Sequence, residues 1–250
     1  IGNILLLTGE AKGLIDKEYL KGGIDVLKKY FSSVSIEVMP LDEEDYKYLA
    51  DDGLDGLTVY QETYDETRYA QVHLSGEKRN FRYRLDTPER GAKAGIRAIG
   101  IGALLGLGGI RDDAFKTGLH LKYLMDKYPK SEISISFPRV NEAEGNLKDS
   151  YAVDDITFVQ IILANRIFQP TAGINLSTRE SAYMRDHLVT MGVTKFSAGS
   201  KTEVGGYSHD NESTAQFDIT DSRDVDSIVE AIRGKGLEVF YKDWETLVWE

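Results

Sequence analysis

Five strand-like runs end abruptly in groups that could bind or react. They close on Thr8-Gly9-Glu10, on Tyr60-Gln61-Glu62-Thr63-Tyr64, on Pro138-Arg139, on Ser177-Thr178-Arg179-Glu180 and on Ser197-Ala198-Gly199-Ser200. A turn needs none of these side chains, whereas a ligand with several charged ends could use all of them. Arg179 carries a planar donor fork that fits a carboxylate in a way a lysine does not. Glu10 and Glu62 are acceptors suited to an ammonium group or a ribose diol. Thr8 and Gly9 leave room for a ligand to approach the backbone closely. Such a rim suits an amino-acid-like ligand, although these residue types alone name no reaction. Glu180 and Ser181 are expected only to cap the helix that follows.

The elements that must position these groups alternate along the chain. Short runs rich in Ile, Val and Leu recur at 3–8, 34–41, 56–61, 98–104, 132–138, 173–178 and 193–199. Between most of them lie segments with a 3.6-residue period, clearest at 16–30, 87–95, 111–128, 153–168 and 223–235. The stretch 87–95 opens with Thr87 as N-cap and Pro88 at the first helical position, and Gly95 ends it. Such alternation argues for a parallel sheet. About seven βα units fit a (β/α)8 TIM-type barrel whose first unit is missing from this chain. In such a barrel the reacting residues come from the C-terminal strand ends and the interior is packed with branched apolar side chains. A doubly wound sheet is the alternative, but no glycine-rich dinucleotide fingerprint opens the first unit. The "GALLGLGG" run likewise lacks the spacing and the Lys-Ser/Thr pair of a phosphate loop. The expected organisation is a barrel over 1–222, including a polar loop at 200–222, followed by a helix and a strand or tail over 223–250.

Composition limits the partners. The chain has 250 residues and a net charge of −11. Strong acidity disfavours nucleic acids and anionic membranes, which need clustered Lys and Arg. With no cysteine, disulfides and thiolate metal sites within this chain are excluded. There is no apolar run of membrane-spanning length and no secretory signature, so the expected location is the cytoplasm. The histidines His73, His120, His187 and His209 lack the spacing of a zinc site. His120 lies at the flank of the apolar stripe of its helix, where a boundary histidine and a ligand-facing acid or base are both open readings. Ile1 is not Met and a strand starts almost at once, which reads as a piece of a longer chain.

Several of these stretches occur in the same order in one family. "LLLTGE" 5–10, "GLTVYQETY" 56–64, "RLDTPERGAKAGI" 84–96, "IGIGALLGL" 99–107, "SISFPR" 134–139, "LSTRES" 176–181 and "SAGSKTEVGGY" 197–207 together resemble the 2-iminoacetate synthase family. These are radical S-adenosylmethionine tyrosine lyases of thiamine thiazole biosynthesis. The likeness covers nearly the whole chain, and "VYQETY" with "LSTRES" is its most specific part. The resemblance implies a (β/α)8 barrel, a 4Fe–4S cluster and S-adenosylmethionine as cofactors. It also implies L-tyrosine as substrate, cleaved at Cα–Cβ to 2-iminoacetate and p-cresol, and thiazole synthase as a protein partner. The alternatives are the tyrosine lyase of hydrogenase-cofactor maturation and, in another class, a cluster-free barrel that acts as a binding scaffold.

Residue by residue, the resemblance implies that Thr8, Gly9 and Glu10 contact S-adenosylmethionine, that Gln61 and Glu62 face the cofactor, and that Arg90 touches it as well. Ser177 and Arg179 would bind tyrosine, with Arg179 on its carboxylate and Arg139 a further member of the pocket. His120 would lie near the substrate as a catalytic group. The family holds its cluster on Cys-x3-Cys-x2-Cys, and none of those cysteines is present. Their place is expected upstream of Ile1, with this chain inactive by itself.

Overall fold

The computed structural model describes residues 2–9, 13–140, 150–202 and 219–241. Among them, seven strands form one sheet: β1 (Asn3–Leu7), β2 (Ser33–Glu37), β3 (Gly56–Glu62), β4 (Ala98–Ala103), β5 (Glu132–Ser136), β6 (Gly173–Leu176) and β7 (Lys195–Phe196). All neighbours are parallel and the spatial order is the chain order, β1 to β7. A doubly wound sheet reverses its order midway, and this one does not. Parallel crossovers are right-handed almost without exception, so an unreversed order puts every helix on one face. The other face curls inward, and the sheet is the open wall of a TIM-type barrel.

The helices are α1 (Lys17–Leu27), α2 (Glu43–Asp51), α3 (Glu66–Val72), α4 (Phe81–Leu85), α5 (Thr87–Lys93), α6 (Ile110–Lys127), α7 (Asp155–Phe168), α8 (Ala182–Leu188) and α9 (Val225–Arg233). Six of them start where an Asp, Asn or Ser side chain accepts an amide of the first turn: Asp16, Asp65, Asn80, Asp154, Ser181 and Asp224. In α5 the cap position belongs to Asp86, not Thr87. Thr87 is already helical, and its hydroxyl donates instead to the Tyr83 carbonyl at 2.9 Å. Gly95 does end that helix, with a φ of 90°. The expected strand after α9 is absent from 234–241, and 242–250 lie outside the described residues.

Strand side chains alternate between two chemistries. Val34, Ile36, Leu57, Ile99, Ile101, Ile133, Ile135 and Ile174 face the helices and form the core with Leu20, Ile24, Leu49, Leu121, Leu124, Phe158 and Ile162. The residues between them are Ser35 and Glu37 on β2, Thr58 and Tyr60 on β3, Gly100 and Gly102 on β4, Ser134 and Ser136 on β5, and Asn175 on β6. From β2 to β6 this lumen face is polar, with Leu5 and Leu7 of β1 as its apolar edge, which corrects the expectation of a branched apolar interior. At its lower end Glu132 of β5 accepts from Lys195 of β7 at 2.7 Å and from Arg97 at 2.8 Å.

The β4 glycines make space in the lumen. A methyl on Gly100 would stand 2.9 Å from the Thr58 hydroxyl. One on Gly102 would collide with the Ser136 carbonyl and stand 2.7 Å from the Tyr60 ring. The ring of Tyr60 therefore lies against bare backbone. Gly102→Ala forces that backbone and ring apart and is expected to destabilise the fold by about 1–3 kcal/mol, read as a lower urea midpoint at unchanged slope.

Candidate functional site

The upper lumen is built around a strained carboxylate. The β3–β4 register shifts between Tyr60 and Glu62, so one extra residue is inserted there. Glu62 is left with φ 70°, the one non-glycine in the left-handed region among the described residues. Burial alone would raise its pKa, but Lys78 at 2.9 Å and Arg84 at 3.3 Å outweigh burial and hold it below the usual carboxylate value. Arg84 is itself buried, and its Nε donates to the Tyr60 carbonyl at 2.7 Å.

Asp113 holds the chain just beyond the strain. It lies on α6 and is 1% exposed. Its Oδ1 accepts from the Thr63 hydroxyl at 3.0 Å and from the Tyr64 amide at 2.7 Å. The Thr63 hydroxyl in turn accepts from the Asp65 amide at 3.1 Å, and Asp65 caps α3. Glu62 is thus fixed by cations at its carboxylate and by a buried acid two residues on. Strain of this kind persists only where neighbours over-determine it, and it clusters at ligand sites.

The second cluster joins the ends of β5 and β6. The Ser177 hydroxyl accepts from the Arg179 amide at 3.3 Å, and Arg179 Nη2 donates to the Arg139 carbonyl at 3.1 Å. The field of Arg179 reaches Glu37 and Tyr60, the lumen residues of β2 and β3. Arg139 behaves differently from the expectation of a pocket residue. Both arms of its guanidinium bind Glu180, and it also pairs with Asp155 at 2.8 Å and donates to the Val153 carbonyl at 2.9 Å. Its guanidinium sits over the Phe158 ring at 4.7 Å. A donor set filled in this way ties β6 to the start of α7. Glu180 is therefore an ion-pair partner and not a cap, whereas Ser181 caps α8 by accepting from the Met184 amide.

The other expected site residues separate into rim and backing. Thr8 lies at the end of β1, its amide donating to the Glu37 carbonyl at 3.3 Å. Its buried hydroxyl has no hydrogen-bond partner among the described residues, and a methyl on Gly9 would meet nothing within 4 Å. Glu10 lies outside the described residues. Gln61, expected to face the cofactor, instead points to the helix side, where strand alternation puts it with Leu57 and Val59. It is 4% exposed, and it lines a crevice with Val59, Ile101, Leu85, Pro88 and His120. His120 belongs to that same crevice, behind the sheet. Its Nδ1 shares a 2.8 Å hydrogen bond with the Tyr64 hydroxyl, and burial pushes its pKa down to about 4, so it is neutral near pH 7. Arg90 is engaged by the Leu41 and Tyr83 carbonyls at 2.9 Å each and stacks on the Tyr83 ring at 3.9 Å. It braces α5 against the β2–α2 connection.

Sequence reasoning passed over Glu37, Arg84 and Asp113, and it put Tyr60 at the rim without a role. Glu37 and Tyr60 had a signal, the alternation in "SVSIE" and "TVYQE" that puts them on one face with Ser35 and Thr58. Arg84 and Asp113 had none, because their partners are distant in sequence. For cofactors, the unpartnered Thr8 hydroxyl, the open space at Gly9 and the strained Glu62 fit a polar ligand such as S-adenosylmethionine. An iron–sulfur cluster does not fit these residues. The chain has no cysteine, and no cluster of metal-ligating side chains occurs among the described residues.

Comparison with known proteins agrees with this architecture. The Biotin and Thiamin Synthesis associated domain family matches residues 136–238. The chain is 39% identical over 245 residues to the 2-iminoacetate synthases of Salmonella typhimurium and of Escherichia coli. Each match covers 98% of this chain and 65% of the relative, so the chain spans just under two thirds of the length of these curated relatives. Among solved structures, the FeFe-hydrogenase maturase HydG from Carboxydothermus hydrogenoformans is 32% identical with a TM-score of 0.81, over 94% of this chain and 55% of the maturase.

The Asp113 grip gives a direct test of how the rim is held. Asp113→Asn keeps the shape but removes the charge that strengthens two buried hydrogen bonds. The expected loss is about 2 kcal/mol of stability, measured by urea unfolding; a loss below about 0.5 kcal/mol would show that Thr63 and Tyr64 hold the rim without it.

Proposed function

We propose, on the premise that this chain is a relative of the 2-iminoacetate synthases over nearly its whole length, that it forms the ligand-binding wall of a radical S-adenosylmethionine tyrosine lyase. The protein carrying this wall would cleave L-tyrosine at Cα–Cβ to 2-iminoacetate and p-cresol for thiazole assembly, with thiazole synthase as partner. The observation that supports this most is the polar lumen. A guanidinium, two carboxylates, hydroxyls and an amide occupy a sheet face where a packed barrel would place branched apolar groups. Identity of 39% to the 2-iminoacetate synthases, against 32% to the hydrogenase maturase, favours the thiamine reaction over the hydrogenase-maturation one.

The assignments follow the geometry. Thr8, Gly9 and Glu62 would hold S-adenosylmethionine at the ends of β1 and β3. When bound and reduced through a 4Fe–4S cluster, that cofactor supplies a carbon-centred radical able to take hydrogen from a substrate. The thiolates for such a cluster are not among these 250 residues. Arg179 would take the tyrosine carboxylate, and Ser177 fixes the backbone from which Arg179 projects. Tyr60 and the bare β4 backbone would form a flat floor for the substrate. The curled wall lets these groups act on one substrate away from bulk water, and His120, Gln61 and Arg139 support the wall from behind or from its edge.

A protein that carries this wall together with a Cys-x3-Cys-x2-Cys segment, loaded with the cluster and given L-tyrosine, S-adenosylmethionine and a low-potential reductant, is expected to release p-cresol in chromatographic assay. A loaded protein that cleaves S-adenosylmethionine and never yields p-cresol would favour the scaffold alternative. Arg179→Lys keeps the charge and loses the bidentate fork. It is expected to raise the KM for tyrosine about tenfold or more while 5′-deoxyadenosine formation without tyrosine is retained; an equal fall in both would remove Arg179 from the substrate.

A further inference from the structure

One lumen carboxylate has no role in the assignments above. Glu37 ends β2 with its side chain on the lumen face, in register with Leu7 of β1. Its carbonyl is held by the Thr8 amide, so its backbone is fixed at the rim. Four charged groups act on the side chain through their fields: Glu62, Arg84, Lys78 and Arg179. Arg84 and Lys78 both pair with Glu62, and Arg179 donates to the Arg139 carbonyl. No hydrogen bond or ion pair to the Glu37 carboxylate occurs among the described residues. Arg179 acts on it only through its field, from the end of β6 across the lumen. Tyr60 is the neighbouring lumen residue and also feels the Glu37 charge.

An unpaired carboxylate facing a guanidinium across a polar lumen has the pattern of an α-amino acid turned inside out. A zwitterion laid between them presents its carboxylate to Arg179 and its ammonium to Glu37. Glu62 cannot serve the ammonium equally well, because two cations already neutralise it. We propose that Glu37 receives the ammonium group of the amino-acid substrate and accepts one proton from it, an inference that rests on the tyrosine assignment above. The step balances simply: one N–H bond of the ammonium breaks, one O–H bond forms on the carboxyl group, and no electrons change hands. It leaves a neutral amine, the form from which a hydrogen atom can be removed to give a neutral aminyl radical and not an aminium radical cation.

The electrostatics suit that task. Burial first, and the Glu62 charge second, push the Glu37 pKa up to about 7. A base poised near the working pH is the efficient kind. The same shift has a sign that stability can read. Between about pH 4.5 and 7 the folded state holds a proton that the unfolded state has released, so stability falls as pH rises through that window. A glutamine at this position has no such dependence.

The test pairs a variant with two ligands in the full-length, cluster-loaded protein. Tyrosine and 3-(4-hydroxyphenyl)propionate, which lacks the amino group, are titrated calorimetrically against wild type and Glu37→Gln in the presence of S-adenosylmethionine. The expected result is that the variant binds tyrosine at least about tenfold more weakly and the desamino analogue equally well. Its melting temperature should exceed that of the wild type above pH 7 and match it below about pH 4.5, which also shows that the variant folds. Glu37→Asp is expected to recover part of the tyrosine affinity. Equal weakening of both ligands, unchanged tyrosine affinity, or a loss confined to S-adenosylmethionine would each overturn the assignment. A wild type that binds neither ligand would overturn the tyrosine reading itself, whereas a wild type that binds both with an indifferent variant would overturn Glu37 alone.

Discussion

Everything in this molecule follows from parallel strands that are connected in unreversed order. Such connections must cross over one face of the sheet, so that face gains all the helices and needs an apolar surface. The opposite face gains no cover and closes only by curling on itself. The chain meets both demands with a period of two: branched aliphatics toward the helices, and Ser, Thr, Gly, Asn, Glu and Tyr toward the lumen. A polar interior is costly unless something polar fills it. The fold is thus stabilised on one side of a sheet and left demanding on the other, and the demanding side is where a charged ligand belongs.

The rim concentrates that demand at the ends of the strands. Glu62 is bent into a conformation that side chains avoid, half-buried, and flanked by two cations. Asp113, Thr63 and Asp65 continue the grip into α3 and α6. At the far edge Arg139 and Glu180 do for β6 what Asp113 does for β3, and they leave Arg179 to project over the lumen. Functional and supporting charges alternate along the same short segments, so a neighbour in sequence is often a group of opposite purpose.

That interleaving explains how much could be read from the residues alone. The seven runs, the barrel class and the position of the rim were legible, because strand period and strand ends are local patterns. The polarity of the lumen was present in "VSIEV" and "ISIS" but was obscured by counting aliphatics without asking which face they take. Gln61 and His120 lie behind the sheet. The strand period of β3 already puts Gln61 on the face of Leu57 and Val59, whereas the helix that carries His120 into the same crevice is a tertiary fact. Arg90 and Arg139 were misjudged because a guanidinium in a sequence does not announce that backbone carbonyls and a glutamate have already filled its donors. Membership of a buried pair, such as Arg185 with Asp221, is similarly invisible until the fold brings 36 residues of separation to contact.

The two glycines of β4 have a wider meaning. The lumen owes its width at Tyr60 to positions that carry no side chain at all. The space beside Tyr60 is thus defined by missing atoms, on a strand whose lumen positions offer no side-chain group. A methyl at either glycine would meet Thr58, or the Ser136 backbone and the Tyr60 ring, so the strand cannot regain a side chain there without moving its neighbours. Comparisons that score only reactive side chains would pass over both positions.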